Sequence, residues 1–353
     1  MKIFAFYLPQ FHEIPENNKW WGDGFTEWVN VKKATPLFNG HKQPKLPKDN
    51  NYYDLMDPET VKWQTNIMHE YKIDGMIYYH YYFKGKMLLE KPAENLLKMK
   101  EVNQPFFFCW ANHNWNRAWE GKREILVKQE YGTKADWKKH FDYLLPFFLD
   151  DRYEKIHGKP VFMIYDSSCS QKEEMFKYFD KWCKEEGLFG IHIIEERFTF
   201  DTNSNPKNDS HIFYSEPSAG RIKEYEKQDF FNRYYRAVIN RLKNKGIIKK
   251  VQVLSGDRIL ERAIKEQKVD KGIIPGLFFE WDNTPRHGYR GYIISPVSKN
   301  VFMKYMNKVK DSDYIFVNAW NEWAEGMMLE PTEEYGYKYL SWIKEWKENI
   351  KNV

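Results

Sequence analysis

The chain has 353 residues, with 55 lysines and arginines against 50 aspartates and glutamates, and therefore a formal net charge of only +5 at pH 7. A charge this evenly balanced, with basic runs as short as residues 243–250, argues against a nucleic-acid-binding surface. The three cysteines, Cys109, Cys169 and Cys183, are too few and too widely spaced for a disulfide framework or a zinc site.

The sequence also bears on location. The N-terminal apolar run at residues 3–8 ends at Pro9 and is too short for the hydrophobic region of a signal peptide. No stretch reaches the ~20 apolar residues that a transmembrane helix needs. Together with the sparse cysteines, which suit a reducing compartment, these features predict a cytoplasmic protein without a transmembrane segment. Peripheral association with a membrane and the oligomeric state stay open.

Eight apolar, aromatic runs recur along the chain and lack polar alternation over most of their length. Such runs are typical of parallel strands that are buried on both faces. The predicted strands lie at residues 3–8, 75–83, 105–112, 160–165, 191–195, 212–215, 273–279 and 314–320.

Amphipathic, charged stretches separate these runs. Asp57 is predicted to cap a helix that begins at Pro58, because proline favours the first helical position. Further helices are predicted at residues 134–149, 171–186, 229–245, 297–309 and 333–350.

About eight strands that alternate with helices predict a parallel α/β fold. A doubly wound open sheet would normally carry a glycine-rich turn after its first strand, where this chain has Pro9, Gln10, Phe11 and His12. We therefore predict a (β/α)8 TIM-type barrel that forms a single domain over residues 1–353, with elaborated loops after the strands.

Polar and aromatic side chains accumulate where the predicted strands end, as expected at the mouth of a barrel, where active sites lie. Aromatic residues make up 18% of the chain, and their rings can stack on the C–H faces of sugars. On the second strand, Tyr79 and Tyr81 are predicted to belong to the core. The predicted substrate-binding residues are Tyr7, Gln10, Trp21, Glu27, Trp28, His80, Tyr82, Trp110, Asn112, His113, Asn114, Arg117, Glu280, Trp281, Asp282, Trp320 and Asn321.

The strongest chemical signal is a pair of glutamates, Glu322 and Glu325, just after the last strand. If the turn there is helical, their carboxylates lie roughly 5–6 Å apart, close to the separation that retaining glycosidases use. Like charges at that distance, between Trp320 and Trp323, would raise one pKa and keep a proton available for a leaving group. The alternative is an exposed glutamate pair at the start of a surface helix, which the flanking tryptophans disfavour.

We predict no cofactor and no metal. The ten histidines show no ligand spacing within one helix, and the chain has no nucleophile elbow, P-loop or dinucleotide fingerprint.

Six segments resemble the WbsX-type family over nearly the whole chain. They are residues 6–12, 21–28, 78–81, 109–112, 281–285 and 317–326. Members of that family are similar to glycoside hydrolase family 99, which contains endo-α-mannosidases and endo-α-mannanases, and are commonly encoded with bacterial O-antigen or capsule genes.

The resemblance implies a (β/α)8 barrel, no metal requirement, and retention through a 1,2-anhydro sugar. By this match Glu322 is the base for the sugar 2-hydroxyl, and Glu325 is the acid and then the base for water. The chemistry needs a 2-hydroxyl trans to the departing group, as in α-mannosides and α-rhamnosides. Relatives commonly carry glutamate where this chain has His113, so an acid role at that position is absent here.

The leading hypothesis is a retaining endo-glycosidase that acts on a bacterial polysaccharide or its lipid-linked precursor. One alternative is a glycosyltransferase or transglycosylase of O-antigen or capsule biosynthesis. Against a sugar-nucleotide-dependent enzyme, the one D-x-D, at Asp311 and Asp313, lies just before the last strand, at the face opposite the mouth. A second alternative is a non-catalytic glycan-binding barrel, which has no need of two neighbouring carboxylates.

Overall fold

The computed structural model describes residues 1–116, 124–200, 206, 210–227 and 230–350. Its centre is a sheet of parallel strands, all formed by the apolar runs that the sequence analysis identified. The strands are β1 (Lys2–Tyr7), β2 (Gly75–Phe83), β3 (Phe106–Trp110), β4 (Lys159–Ile164), β5 (His192–Arg197), β6 (Ser210–Tyr214), β7 (two pieces, Ile273–Ile274 and Gly276–Phe278) and β8 (Tyr314–Asn318). All eight predicted strands are present, and no end is shifted by more than two residues.

These strands pair in order around a barrel. Each pairs in parallel with the next from β1 to β6, and β8 pairs with β1. Pro275 divides β7, so that its first piece pairs with β6 and its second piece with β8. Proline has no N–H to donate to a ladder, which accounts for the interruption. The ring of pairings confirms the predicted (β/α)8 barrel.

The barrel interior is filled by aromatic rings rather than by small aliphatic side chains. Phe6, Phe213 and Phe316 contact one another with ring centroids 5.1–6.3 Å apart. All three are fully buried. Because a barrel of eight strands leaves an interior that side chains must fill, these rings make its lower part a packed core and leave the open space at one end.

Helices surround the barrel and extend its loops. They are α1 (Pro15–Trp21), α2 (Glu27–Lys32), α3 (Pro58–Glu70), α4 (Lys91–Lys98), α5 (Lys134–Phe148), α6 (Lys172–Glu185), α7 (Ser218–Glu226), α8 (Phe230–Asn244), α9 (Gly256–Glu266), α10 (Thr284–His287), α11 (Lys299–Lys308) and α12 (Lys338–Ile350). The Asp57 carboxylate accepts a hydrogen bond from the Glu59 N–H at 3.0 Å, which confirms the predicted cap of α3.

One predicted helix boundary is wrong. The last helix begins at Lys338, not at residue 333, because residues 332–336 form a tight turn. In that turn Gly336 N–H donates to the Thr332 carbonyl at 2.8 Å, and Gly336 has a φ of 54°. Glycine adopts this left-handed backbone without steric cost, which ends any helical continuation from the N-terminal side.

Short strands build up the end of the barrel where β1–β8 finish. Three of them, Gln252–Leu254, Tyr292–Ile294 and Trp281–Asp282, form a separate small sheet, and Asn321–Glu322 pairs with Met327–Met328 as a hairpin. Others at this end are Lys86–Leu88, Trp115–Asn116 and Ile125–Val127, whereas Lys155–Ile156 pairs with the start of β4. Across the described residues, no helix combines the length and the apolar character that a membrane span requires.

Candidate active site

A cavity of about 320 Å³ opens at the carboxyl ends of the barrel strands. Every strand contributes a lining residue from its last positions or from the loop that follows it. In strand order these include Gln10, Tyr81, His113, Tyr165, Glu196, Ser215, Trp281 and Glu322. This end of a (β/α)8 barrel is where catalytic groups converge, because all eight strands deliver side chains to one place.

The glutamate pair lies on a short hairpin after β8. Glu322 belongs to the strand Asn321–Glu322, and residues Trp323–Glu325 form one turn of 3-10 helix. Gly326 then takes a left-handed conformation, with φ 58°, and the chain returns through Met327–Met328. The predicted helical turn is therefore present, and it directs both carboxylates into the cavity.

Two buried contacts hold this hairpin against the barrel. The Asn321 side chain accepts from Leu8 N–H at 2.7 Å and donates to the Leu8 carbonyl at 3.1 Å, which ties the hairpin to the end of β1. The Trp323 indole donates to Glu330 at 2.6 Å, and its ring packs on Trp28 with centroids 5.4 Å apart. These contacts of Asn321, Trp28 and Trp323 fix the hairpin that carries the two carboxylates.

Arg286, on α10, joins three carboxylates at the cavity. It forms an ion pair with Glu27 at 2.9 Å, another with Glu322 at 3.4 Å, and a third, short one with Glu325. The Arg286 side chain is only 9% exposed, so water screens these pairs little. A planar guanidinium that contacts both catalytic candidates fixes their relative orientation.

Asp282 holds the start of α10, the helix that carries Arg286. One of its oxygens accepts from the Thr284 N–H at 3.0 Å and from the Thr284 hydroxyl at 2.6 Å, at the start of α10. The other accepts from Gln43 at 2.6 Å and lies 2.8 Å from His41 Nε2. Asp282 is therefore a positioning residue that acts through α10.

The electrostatics of the pair are unequal. Burial raises the pKa of Glu322 to about 8; the Arg286 charge opposes this rise, and Glu325 and Glu27 add to it. Burial works against the charge of Arg286, but the three carboxylates outweigh it and raise the pKa of the guanidinium. Glu325 lies nearer the surface, with 21% of its side chain exposed against 11% for Glu322. The two carboxylates therefore differ in environment, as an acid and a base must.

A second acidic wall faces the cavity from β5 and β6. Burial raises the pKa of Glu196 to about 8, with a hydrogen bond from Ser215 opposing the shift. Asn318, at the end of β8, donates to the Ser215 hydroxyl at 3.2 Å and to the Glu216 carbonyl at 2.7 Å. This shift favours the neutral form of Glu196, which can donate a hydrogen bond into the cavity.

The two faces of β2 are the reverse of the prediction. Tyr79 and Tyr81 line the cavity, whereas His80 and Tyr82 point outward, where each packs on His140 of α5. The strand period of two predicted that each pair shares a face. Which face is interior is decided by the partner helix, whose His140 Nε2 lies 2.9 Å from His80 Nε2.

Four more of the predicted substrate-binding residues are core residues. Tyr7 is fully buried and its hydroxyl donates to Gln64 at 2.8 Å, and the Trp110 indole donates to the Tyr82 carbonyl at 3.0 Å. Trp28 packs between Phe11 and Trp323, and Trp320 is fully buried. Trp21 packs on Phe25 and does not line the cavity. Large aromatic rings near strand ends are as useful for closing a barrel as for binding sugar, so sequence could not separate the two.

Two further predicted residues, Asn112 and Glu280, are buried away from the cavity, and each joins two segments of the chain. Asn112 joins β3 to the loop after β4, since it accepts from Asp166 N–H and donates to the Asp166 carbonyl, both at 2.7 Å. Glu280 forms an ion pair with Lys45 at 3.0 Å. Burial raises the pKa of Glu280, and Lys45 opposes that rise.

The predicted residues that do line the cavity are Gln10, His113, Asn114, Trp281, Glu322 and Glu325. Glu27 reaches the site through Arg286, and Arg117 lies outside the described residues. The amide nitrogen of Gln10 and the indole nitrogen of Trp281 are buried and have no acceptor among the described residues, so both are donors for a ligand in the cavity.

Sequence reasoning missed Arg286, Tyr165 and Ser215. Arg286 directly follows the segment 281–285 that was singled out, and a cation is what a cluster of buried carboxylates requires. An arginine next to this segment was therefore the sequence feature that could have identified Arg286 as part of the site. Within the described ranges, no three acidic, histidine or cysteine side chains are grouped so that they could hold a metal ion.

The comparisons with solved structures agree with the fold. The GH99 endo-alpha-mannosidase from Bacteroides thetaiotaomicron is 13% identical, with 99% of this chain and 97% of that chain covered and a TM-score of 0.54. In complex with bis-tris-propane it has a TM-score of 0.57 at the same identity and coverage. A glycoside hydrolase-like protein is 12% identical, with 98% and 93% covered and a TM-score of 0.57. At these identities the likeness shows the fold alone.

Sequence comparison reaches further. Protein WxcX, from two strains of Xanthomonas campestris pv. campestris, is 32% identical over 359 residues, which cover 96% of this chain and 48% of the relative. This chain thus spans about half the length of the curated relatives it matches. A family model described as "Glycosyltransferase WbsX" matches residues 3–343. Because that match runs through nearly the whole chain, the protein belongs to the glycosyltransferase WbsX family, as its motifs predicted.

Proposed function

We propose that this chain is a carbohydrate-active enzyme, a retaining endo-glycosidase for α-mannoside- or α-rhamnoside-like linkages in a bacterial polysaccharide. The observation that supports the proposal most directly is the Arg286 guanidinium in contact with both Glu322 and Glu325 at the barrel mouth. A binding site for neutral sugars has no need to bury two neighbouring carboxylates, because each costs free energy to desolvate. Two carboxylates around one scissile bond are what glycoside hydrolysis requires.

In the first step Glu322 takes the proton of the sugar 2-hydroxyl, and the 2-oxygen attacks the anomeric carbon to form a 1,2-anhydro sugar. The glycosidic bond breaks as Glu325 gives its proton to the departing oxygen. In the second step Glu325 takes a proton from water, the water oxygen opens the anhydro ring at the anomeric carbon, and Glu322 returns its proton to the 2-oxygen. Two inversions at one carbon give net retention.

Burial raises the pKa of Glu322 to about 8, so once it is ionised it is a stronger base than an ordinary carboxylate; the proposed role requires this ionised form, which the Arg286 charge favours. The greater exposure of Glu325 supports its exchange with water. Arg286 stabilises whichever of the two carries the negative charge at each stage. The rings of Tyr81 and Trp281 provide the apolar surface on which a sugar stacks.

The test is incubation with the polysaccharide of the source organism, with α-mannan and with rhamnan, followed by mass spectrometry and NMR of the products. Wild-type protein is expected to release oligosaccharides whose first-formed anomer is the α form of the substrate. Glu322→Gln and Glu325→Gln are each expected to lower the rate at least about a hundredfold, the usual scale for loss of a general acid or base. Glu348→Gln, on the exposed side of α12, is the matched control and should retain full activity.

The family description favours a second candidate, a transferase or transglycosylase that delivers the same intermediate to a sugar hydroxyl instead of water. Reaction in ¹⁸O-labelled water with an added acceptor oligosaccharide separates the two. Label in the new reducing end identifies hydrolysis, whereas longer, unlabelled products identify transfer. If every glycan and every nucleotide-sugar or lipid-linked donor gives no product while binding survives in both glutamine variants, the chain is a glycan-binding barrel and the catalytic proposal is wrong.

A further inference from the structure

A second cavity, of about 330 Å³, lies between α7, α9 and the short strand Gln252–Leu254. Tyr292 forms part of its wall, and the Tyr292 ring packs on Trp281, which lines the first cavity, with centroids 5.2 Å apart. Helix α7 borders both spaces, because Ser218 lines the first and Arg221, one turn later, lines the second. The two cavities are therefore neighbours that share the Trp281–Tyr292 ring pair and helix α7 as walls.

The second cavity is cationic. Arg221 and Arg258 both line it, and the Arg221 guanidinium lies over the Tyr292 ring, 5.1 Å from the centroid. Among the described residues, Arg221 Nε is buried and has no hydrogen-bond acceptor. Neither the Arg221 nor the Arg258 guanidinium forms an ion pair with a described residue. The acidic residue of the wall, Glu224, is held by Arg262 at 3.0 Å. Two guanidinium groups thus line the cavity, and the one carboxylate among its described lining residues, Glu224, is paired with a third arginine, Arg262.

The chemistry of these groups defines the ligand. A buried guanidinium donor without an acceptor is unfavourable, and carboxylate and phosphate oxygens are the acceptors that fit its planar fork. Gln252 and Ser255 supply polar groups for hydroxyls, and the half-exposed Tyr225 supplies a ring face. These are the contacts that an anionic sugar requires, with its charge at the arginines and its ring against the aromatic side chains.

We propose that this second cavity is a subsite for an acidic sugar, one that carries a carboxylate or a phosphate ester, next to the residue bound at Glu322 and Glu325. The inference rests on the proposed function of the first cavity, and it names the class of glycan: an acidic polysaccharide rather than a neutral mannan or rhamnan.

The experiment is an NMR titration of the full chain carrying Glu322→Gln, which prevents turnover, with D-glucuronate, glucose 6-phosphate and glucose. At least one acidic sugar is expected to bind at least about tenfold more tightly than glucose, and to weaken as salt rises. Comparison of the two acids distinguishes a carboxylate subsite from a phosphate subsite. Arg221→Gln combined with Arg258→Gln is expected to abolish the preference, while Lys265→Gln, which removes one charge from the same helix α9 outside the cavity, should preserve it.

Equal binding of glucose and both acids would overturn the proposal, as would a preference that survives the double substitution. Circular dichroism checks the fold of each variant. If the double variant does not fold, Arg258→Gln alone decides, because Arg258 is exposed and its loss leaves the core intact. The two proposals fail separately: binding of acidic sugars without cleavage of any glycan contradicts only the catalytic role, and cleavage without an acidic preference contradicts only the subsite.

Discussion

At the scale of single residues, the buried carboxyl of Glu322 controls the expected dependence on pH. Burial raises the pKa of Glu322 to about 8, and in its proposed role as base it must be deprotonated to act. We therefore expect kcat/KM to rise with pH through an apparent pKa near 8, and to be about a hundredfold lower at pH 6 than on the plateau. The measurement is a pH–rate profile on any cleaved glycan. A profile that instead falls through pH 8 would assign Glu322 the acid role.

Arg286 provides a check on this assignment. Its charge lowers the pKa of Glu322, so its removal in Arg286→Gln is expected to move the rising limb of the profile to higher pH. The maximal rate should also fall, since Arg286 orients both glutamates. If the rising part of the pH–rate profile does not move while the maximal rate falls, Arg286 orients the two glutamates without changing the pKa of Glu322.

The raised pKa of Glu196 predicts that the free energy of unfolding depends on pH. Burial raises its pKa to about 8 in the folded state, so between its ordinary pKa and pH 8 the folded chain binds more protons than the unfolded chain. The free energy of unfolding should then fall as pH rises through that window, by up to about 1.4 kcal/mol per pH unit for this group. Glu196→Gln is expected to remove this part of the fall, measured by urea unfolding at pH 6 and pH 9.

The matched control for Glu196 is Glu186→Gln, at the exposed end of α6. It should change the free energy of unfolding equally at both pH values. Other buried carboxyls, such as Glu330, whose pKa burial raises to about 7, contribute to the fall in every variant, so only the difference between variants is informative.

At the scale of elements, the hairpin after β8 depends on Gly326. Its φ of 58° is left-handed, and a Cβ there would lie 3.0 Å from the Asp282 Cβ. We expect Gly326→Ala to lower the free energy of unfolding by about 1–2 kcal/mol and also to reduce activity, because Asp282 and the two glutamates would shift. Urea unfolding and glycan turnover measure the two effects.

Gly336 allows backbone strain to be separated from displacement of the site. It has a similar φ of 54°, but a Cβ there would meet no atom within 4 Å. Gly336→Ala should therefore cost similar stability and leave turnover unchanged. Equal losses of turnover in both variants would mean that loss of stability, rather than contact with Asp282, limits activity.

At the scale of the whole molecule, the barrel needs the helix that ends the described chain. Helix α12 buries Tyr339, Leu340, Ile343 and Trp346 against the barrel core. At roughly 1.5–3 kcal/mol per buried side chain, their loss is comparable to the roughly 5–15 kcal/mol that stabilises a typical domain. A chain that ends at residue 337 is expected to lose cooperative unfolding, measured by circular dichroism during heating. Alanine at the exposed Ser341, Glu345 and Glu348 should leave that transition nearly unchanged.

Much of this architecture was determined by the sequence alone. The eight apolar runs predicted the strands, including β5 and β6, because strands buried on both faces must be continuous in hydrophobic residues. The glutamate pair at 322 and 325 and the cap at Asp57 also followed from local spacing, since their geometry depends on a few neighbouring residues.

Only the tertiary structure decided which side chains face the cavity. The alternation along β2 is the same whether Tyr79 and Tyr81 or His80 and Tyr82 point inward, and the choice depends on His140, sixty residues beyond His80 in the chain. Likewise, Arg286 contacts the three carboxylates only because α10 places it beside Glu27, 259 residues away, and beside the glutamate pair on the hairpin after β8. Local sequence determines which residues share a face, but the packing of distant elements determines what that face contacts.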